Sequence, residues 1–437
     1  MSRGFPSVLR IRNFSLLVAS GSLSQLGDRL THMLLITVIA VSQPGKLMAY
    51  STGSLAFVIP SMLLAPIAGV LVDRWDKRKV LGFTHVIQSG LLVAAAFLMI
   101  ALKSFAPFWV ALFIFFALDV FNNTSVPSLM PQLVAKRKLL VANSVSLTFS
   151  RVATVLGMVI GGFLIKWAGW KYGLFINAST HLTAGLLALA ISGIFIANHV
   201  SPLAVGLGGP CRTARLSPLT PSVLSLVRHS FHQLFADLAA VVRVVGRSRL
   251  VAFVMASVVV TTFVSSVSYT VLIFIVQQVL KLGTGGVGLF AGVLAVGMIA
   301  GAASMSYIRR RINQPMVVVV VILLYGLLFL ASPWLITVWF MTVIALVAGV
   351  AFSWLGVVQS TILQEEVPKE IRGRIFSTRE FITNAAFLLT TLFIGGLGDL
   401  TSYRTVLVAI GGVLLTLAVL GWVFVRAMQR PASATCD

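Results

Sequence analysis

Asp28 sits near the middle of an apolar stretch that runs from about Phe14 to Val41. Ser24 and Gln25 lie one helical turn before it, and Thr31 and His32 one turn after, with Gly21 extending the same side. At helical spacing these residues form one polar strip. A carboxyl and an imidazole one turn apart can exchange a proton directly or through one water. Histidine titrates near neutrality, and burial brings a carboxyl towards it. The strip therefore reads as a proton-responsive site centred on Asp28, with His32 assisting. The competing reading makes Asp28 a structural ion-pair partner of Arg151 or Arg379 and His32 a packing residue. Arg29, one position on, points away from the strip on helical geometry. A second polar face lies in "ALDVFNN", where Asp119 has Asn122 and Asn123 at i+3 and i+4. It either lines a cavity or braces a gate, and Arg151 is a candidate partner for either acid.

The surroundings of these groups are apolar throughout. Of 437 residues, 58% are hydrophobic and 10% charged, and mean hydropathy is +1.01. A soluble domain carries about 25% charge. Runs long enough to cross a bilayer, roughly 17–25 residues each, recur near 14–41, 49–72, 80–102, 107–128, 141–165, 170–197, 250–278, 286–308, 315–332, 335–359, 375–397 and 404–426. They are continuous rather than alternating, which disfavours a β-barrel. The expected fold is an all-α polytopic membrane protein of twelve transmembrane helices. The first run is too long for a signal-peptide core and is expected to remain as the first span.

The net charge of +22 is a topology signal rather than a nucleic-acid footprint. With both termini cytoplasmic, the clusters Arg74/Lys77/Arg78/Lys79, Lys136/Arg137/Lys138, Arg309/Arg310/Arg311 and Lys369/Arg372/Arg374 all fall inside. Lys46, Lys103, Lys166, Lys171, Lys281 and Arg404 fall outside. This is the positive-inside pattern, and it fits an even number of spans in a plasma (inner) membrane. Cys211 and Cys436 then face the cytoplasm as free thiols.

The segment "SPLAVGLGGPCRTARLSPLTP", from Ser201, reads as a linker. After it Phe231, Leu234, Phe235, Leu238, Val242 and Val245 recur at helical spacing, as a membrane-surface helix or a plain connector. The chain is thereby divided into a six-helix bundle at 1–200, a cytoplasmic linker at 201–249 and a second six-helix bundle at 250–437. The halves echo each other. Gly53 and Gly285, Gly69 and Gly301, and the basic triplets at Lys77 and Arg309 are all 232 residues apart. Landmarks at one offset indicate a duplicated unit, a known transporter design.

"GVLVDRWDKRKVL", from Gly69, resembles the loop motif of the major facilitator superfamily, in which G-x-x-x-D-R precedes basic residues. The resemblance implies a cytoplasmic gate made by Gly69, Asp73, Arg74, Lys77 and Arg78, which locks the outward-facing state. Asp76 stands where the family usually has Gly. "SQLGDRL" at Ser24, "SVPSLMPQLVAKRKLLVANSV" at Ser125 and "TILQEEVPKEIRGRIFS" at Thr361 are similar to segments of the drug-, siderophore- and lysophospholipid-exporting members. "GMVIGG" at Gly157 is similar to the exporters' G-P-x-x-G-G, with Met158 in place of Pro. What this implies is proton-coupled efflux of a hydrophobic or amphipathic small molecule by alternating access, with lysophospholipid transport as the alternative. The cavity residues would be Asp28, His32, Gln25, Asp119, Asn123 and Arg151. The partners would be a small or lipid-like substrate, protons and membrane lipids, around a monomer.

The seventh span carries Ser257, Thr261, Thr262, Ser265, Ser266, Ser268 and Tyr269 and no charge. Charge coupling is therefore expected in the first bundle, and hydrophobic, hydroxyl and aromatic contacts, Trp354 among them, in the second. No Walker loop, H-E-x-x-H, paired-cysteine site or G-x-S-x-G elbow occurs. Neither an enzyme, a metal centre nor a cofactor is expected, and a non-transporting sensor is the rival from another class.

Overall fold

The computed structural model describes residues 8–192, 246, 248–308, 313–367 and 369–429. Most of the linker, the 231–245 periodic segment, Cys211, Cys436 and the triplet Arg309–Arg311 lie outside the described residues. Among those described, every regular element is helical. The elements are α1 (Arg12–Ser42), α2 (Leu47–Gly53), α3 (Leu55–Arg74), α4 (Lys77–Leu102), α5 (Ala106–Leu133), α6 (Leu139–Leu189), α7 (Arg249–Val267), α8 (Gly283–Ile308), α9 (Gln314–Ala331), α10 (Val338–Glu366), α11 (Lys369–Leu400) and α12 (Tyr403–Gln429).

These helices resolve into twelve crossings. Ten stretches are long and apolar enough to span a bilayer by themselves, α2 and α3 together supplying one of them. The 31-residue α1 adds another, its hydropathy lowered by the polar strip. The 51-residue α6 breaks at Gly169, where φ is 77° and ψ 171°, so it crosses twice. That left-handed backbone suits a residue without Cβ. The sixth crossing, expected to reach 197, is helical to Leu189. Starts follow local chemistry. Asp76 caps α4 by accepting from Arg78 N, Ser248 caps α7 at Val251 N, and Thr337 caps α10 at Phe340 N. Past Val267 the seventh crossing continues as π turns at Ser268–Leu272 and Ile275–Val279. Large apolar side chains cover the outside, with Trp167 92% and Trp339 77% exposed. Such a surface suits hydrocarbon, in which only backbone satisfied within its own helix is stable.

The two sixfold sets of crossings meet at one end. Leu47 N and Met48 N, at the start of α2, donate to Asp399 Oδ1 at 2.6 Å and Oδ2 at 3.2 Å. Lys46 gives α2 no side-chain cap of its own, so an acid from α11 supplies it. At the same end Gln278 Nε2 donates to Tyr50 OH at 3.4 Å, and α6 lies against α8 backbone to backbone. A Cβ on Gly162 would stand 2.6 Å from Thr284 O, and one on Gly288 the same distance from Met158 O. The glycines of the fifth span pack tightly against two helices, since Gly161 faces Leu30 of α1.

Asp399→Ala removes the acceptor for two backbone N–H groups. Because the carboxylate is exposed, the expected loss is about 0.5–1 kcal/mol, read as a lower melting temperature of the purified protein. Asp399→Asn, which keeps one acceptor oxygen, should lose less.

Candidate functional site

The second limb of α6 packs along α1 through a polar seam. Ser20 Oγ donates to Ala184 O at 2.8 Å, and Asn177 Nδ2 donates to Thr31 Oγ1 at 2.7 Å. Between these contacts Gly27 lets α6 come close: a Cβ there would stand 2.5 Å from His181 Nε2 and 2.6 Å from Thr180 Oγ1. Asp28 lies on this seam, 4% exposed. Its Oδ2 accepts from Gln25 Nε2 at 3.5 Å, and Gln25 Oε1 accepts from Thr154 Oγ1 at 3.3 Å. Its Oδ1 faces His181 Nε2 at 3.9 Å without a hydrogen bond. His181 is fully buried; its ring lies against the Gly27 backbone, and neither ring nitrogen has a hydrogen bond of ordinary geometry.

Beyond His181 the polar groups continue into α4 and α5. The His85 ring lies 5.7 Å from the His181 ring, centre to centre. His85 Nδ1 and Gln88 Oε1 are 2.9 Å apart, and Asn122 Nδ2 donates to Gln88 Oε1 at 3.1 Å. Gln88 Nε2 donates to Phe115 O at 3.1 Å, and Thr84 Oγ1 donates to Asn122 Oδ1. A buried file of polar side chains thus runs from Asp28 across three further helical crossings.

The residues read as partners of Asp28 lie elsewhere in the structure. His32 makes no hydrogen bond to Asp28. It faces α3 and α5, where its ring lies 5.1 Å from Phe57 and 5.2 Å from Phe116. The group facing Asp28 comes from α6: His181, which fits there because Gly27 carries no Cβ. Arg151 pairs with neither acid; it is exposed and forms no ion pair among the described residues. Arg379 is taken up by Ser360 Oγ and Gln359 Oε1, both at 3.5 Å. Arg29, expected to point away, is close enough for its charge to act on both Asp28 and Asp119, and Asp119 acts on Asp28 in turn.

Asp119 accepts from Asn123 Nδ2 at 2.9 Å, as the spacing suggests, whereas Asn122 turns inward to α4. Trp354, expected as an aromatic substrate contact, donates its N–H to Gly301 O at 3.1 Å and Ser304 Oγ at 3.0 Å, bracing α10 on α8. At the expected gate motif the side chains of Gly69, Asp73 and Arg74 lie outside the described set. The next residues form a compact clasp. Arg78 Nε and Nη2 bind Asp76 at 3.2 and 2.9 Å, and Nη1 donates to Ile191 O at 3.1 Å. The clasp ties the α3–α4 turn to the end of α6. Burial raises the Asp76 pKa, but the hydrogen bonds and charge of Arg78 outweigh it and hold the carboxyl below its ordinary value. Asp76, the departure from the motif, is therefore the residue that orders the turn.

The sequence model of the Major Facilitator Superfamily matches residues 17–377 and again 254–435. The chain belongs to the Major Facilitator Superfamily. Membership makes it a membrane transporter rather than an enzyme. It is similar to the uncharacterized MFS-type transporter YfiS of Bacillus subtilis (strain 168), 21% identical over 174 residues, a match spanning 39% of this chain and 40% of that protein. Among solved structures it resembles a bacterial homologue of the iron transporter ferroportin in the inward-facing state, with TM-score 0.69, 18% identity, and 97% of this chain and 100% of that one covered. It also resembles the nucleoside transporter NupG, with TM-score 0.63, 15% identity, and coverage of 95% and 99%. At these identities the likeness is one of fold.

Asn122→Ala takes one donor from Gln88 Oε1, which keeps His85 Nδ1, and one acceptor from Thr84 Oγ1, which keeps Val80 O and Leu81 O. The expected loss is about 0.5–1.5 kcal/mol, measured by thermal unfolding. Asn123→Ala, on the exposed side of the same helix, should stay within about 0.5 kcal/mol of the parent.

Proposed function

We propose that this facilitator is a proton-coupled exporter of a hydrophobic or amphipathic small molecule, working by alternating access in the plasma (inner) membrane. It belongs on this reading to the drug-, siderophore- and lysophospholipid-exporting branch. Both termini are cytoplasmic, and the Leu47/Asp399 end faces outward. The single observation that carries the coupling is Asp28: a buried carboxylate with one oxygen unpaired, 3.9 Å from an equally unpaired imidazole. At 3.9 Å the carboxylate and the imidazole make no hydrogen bond. Adding one proton converts the pair from a carboxylate beside a neutral ring to an imidazolium–carboxylate or acid–imidazole pair, whose mutual hydrogen bond is stronger, so protonation draws α1 and α6 together. Protonation thereby favours one packing of the α1–α6 seam over another, which is what coupling requires.

The two ends of the molecule support the rest of the reading. At one end hydrogen bonds join the two sixfold sets; away from it a cavity opens among α7, α10 and α11. A closed end opposite a cavity is the geometry of one half of an alternating-access cycle. Gln25 bonds Asp28, and Asp119, held by Asn123, acts on it by charge; on this reading the Asp76–Arg78 clasp with Lys77 serves the cytoplasmic gate. Lysophospholipid transport is the second reading, favoured by Phe352 and Phe387 lining that cavity beside Arg379.

The test begins with a thermal-shift screen of the purified protein against drugs, siderophores and lysolipids, since a ligand of the folded state raises its stability. A hit is then followed in proteoliposomes under an imposed pH gradient. Asp28→Asn should abolish gradient-driven movement, and His181→Phe should reduce it at least tenfold, while His32→Phe stays within about threefold of the parent. Gradient-driven transport by Asp28→Asn at the parental rate would refute the coupling site.

A further inference from the structure

We propose that Arg379 and the cavity beside it bind the acidic head of an amphipathic anion. The proposal rests on the transport reading above and names its substrate class. Arg379 lies in the apolar crossing Thr378–Leu400. It stands near the end of that crossing, where a cation is tolerated when it borders water or a partner, and arginine does not escape by losing its proton. Among the described residues no carboxylate lies within ion-pair distance of it. Glu380, next in sequence, points outward and is exposed. The acceptors that Arg379 does have are neutral and distant, Ser360 Oγ and Gln359 Oε1, each at 3.5 Å.

The side chain is nonetheless held in place. Gln359 is 2% exposed. Its Nε2 donates to Ser257 Oγ at 3.1 Å and Thr261 Oγ1 at 3.0 Å, which commits the amide carbonyl to the guanidinium. Two helices thus orient a permanently charged planar fork; Glu380 acts on it by charge from a distance, and among the described residues no carboxylate reaches its N–H groups. Such a fork matches carboxylate or phosphate oxygens two at a time.

The cavity supplies the rest of the ligand. It is lined by Thr261 and Ser265 of α7, Phe352 of α10, and Thr383 and Phe387 of α11, with Arg379 at one extremity. Phe387 follows Arg379 by two helical turns, about 12 Å along the axis. At that end Phe387 lies 5.7 Å from the Tyr269 ring and 6.3 Å from the Phe57 ring, so the far wall is aromatic. A cation at one extremity, hydroxyls between, and rings at the other describe an acid carrying an apolar body about eight carbons long. Gly356 borders the same space, and a Cβ there would meet nothing within 4 Å.

The experiment is equilibrium binding to the full chain in nanodiscs of neutral phosphatidylcholine, with no ion gradient. The probes are octanoate, octyl phosphate, octylammonium, octanol and inorganic phosphate. Octanoate and octyl phosphate should bind at least tenfold more tightly than the other three. Arg379→Gln should remove that preference, Arg379→Lys should keep most of it, and Gly356→Leu should weaken both anions at least tenfold with Arg379 intact. Equal binding of octylammonium and octanoate, an unchanged preference in Arg379→Gln, or unchanged affinity in Gly356→Leu would overturn the proposal. Inorganic phosphate binding as tightly as octyl phosphate would do so too, by assigning the site to a free anion. Because no gradient is applied, failure here leaves the Asp28 coupling standing, and failure of coupling leaves this binding result standing.

Discussion

A carboxylate enclosed by helices in a membrane constrains everything near it. Asp28 is almost fully buried, and its hydrogen-bonding needs are only half met, by one long bond from Gln25. Outside water, an acid in that condition is tolerated only where neighbouring charge and polar groups stand close. The fold provides them by bringing polar faces of four crossings to one level. Thr154 of the first α6 limb orients Gln25, the second limb presents His181, and α4 and α5 place His85, Gln88 and Asn122 behind it. Arg29 and Asp119 add charge on the other side. The glycines of α1 and α6 follow from the same constraint, since Gly27 and Gly157 are the points at which the backbones must approach for these groups to meet.

The crossings themselves were legible in the sequence, because apolar length and positive loop clusters are local properties. Asp28 and Gln25 were legible for the same reason: a helix converts spacing into a face without help from the rest of the chain. His181 was not. It is an isolated histidine in another apolar span, and only packing brings it to Asp28. A signal did exist. Asn177, Thr180, His181 and Ala184 stand at helical spacing, so the sixth span carries a strip of small and polar residues like that of the first. Reading the two strips as faces of one seam would have found the pair. His32 misled because same-helix spacing is visible in sequence, whereas the Phe57 and Phe116 rings that claim it are not.

Asp76 shows a related limit. Measured against a motif it is a departure; measured against helix chemistry it stands at an N-cap before a basic turn. There an acid satisfies the α4 amide and holds Arg78 as well. Arg379 is the counterpart in the second half. Its position in an apolar run suggested an ion-pair partner for Asp28, but Gln359 and Ser360 hold it within its own half.

The internal duplication sharpens that contrast. At an offset of 232 residues the halves share glycines and basic turns, yet Asp28 falls opposite Val260 and Arg379 opposite Leu147. What repeats is what packing needs. Gly301 lets α10 approach closely, and Gly53 and Gly285 admit neighbouring side chains that a Cβ would obstruct. What does not repeat is the charge. On the proposed reading, two bundles that rock against each other need matched shapes, because each must present a workable surface in both arrangements. They do not need matched chemistry. If both halves carried the same acid, one proton could be taken up on either side and would bias neither arrangement. On that same reading, Asp28 in the first half and Arg379 in the second give the two halves different ligands, so that proton and substrate would each act on a different partner. On the proposed reading, the loss of symmetry at these two positions is what allows one binding event to be felt by the other.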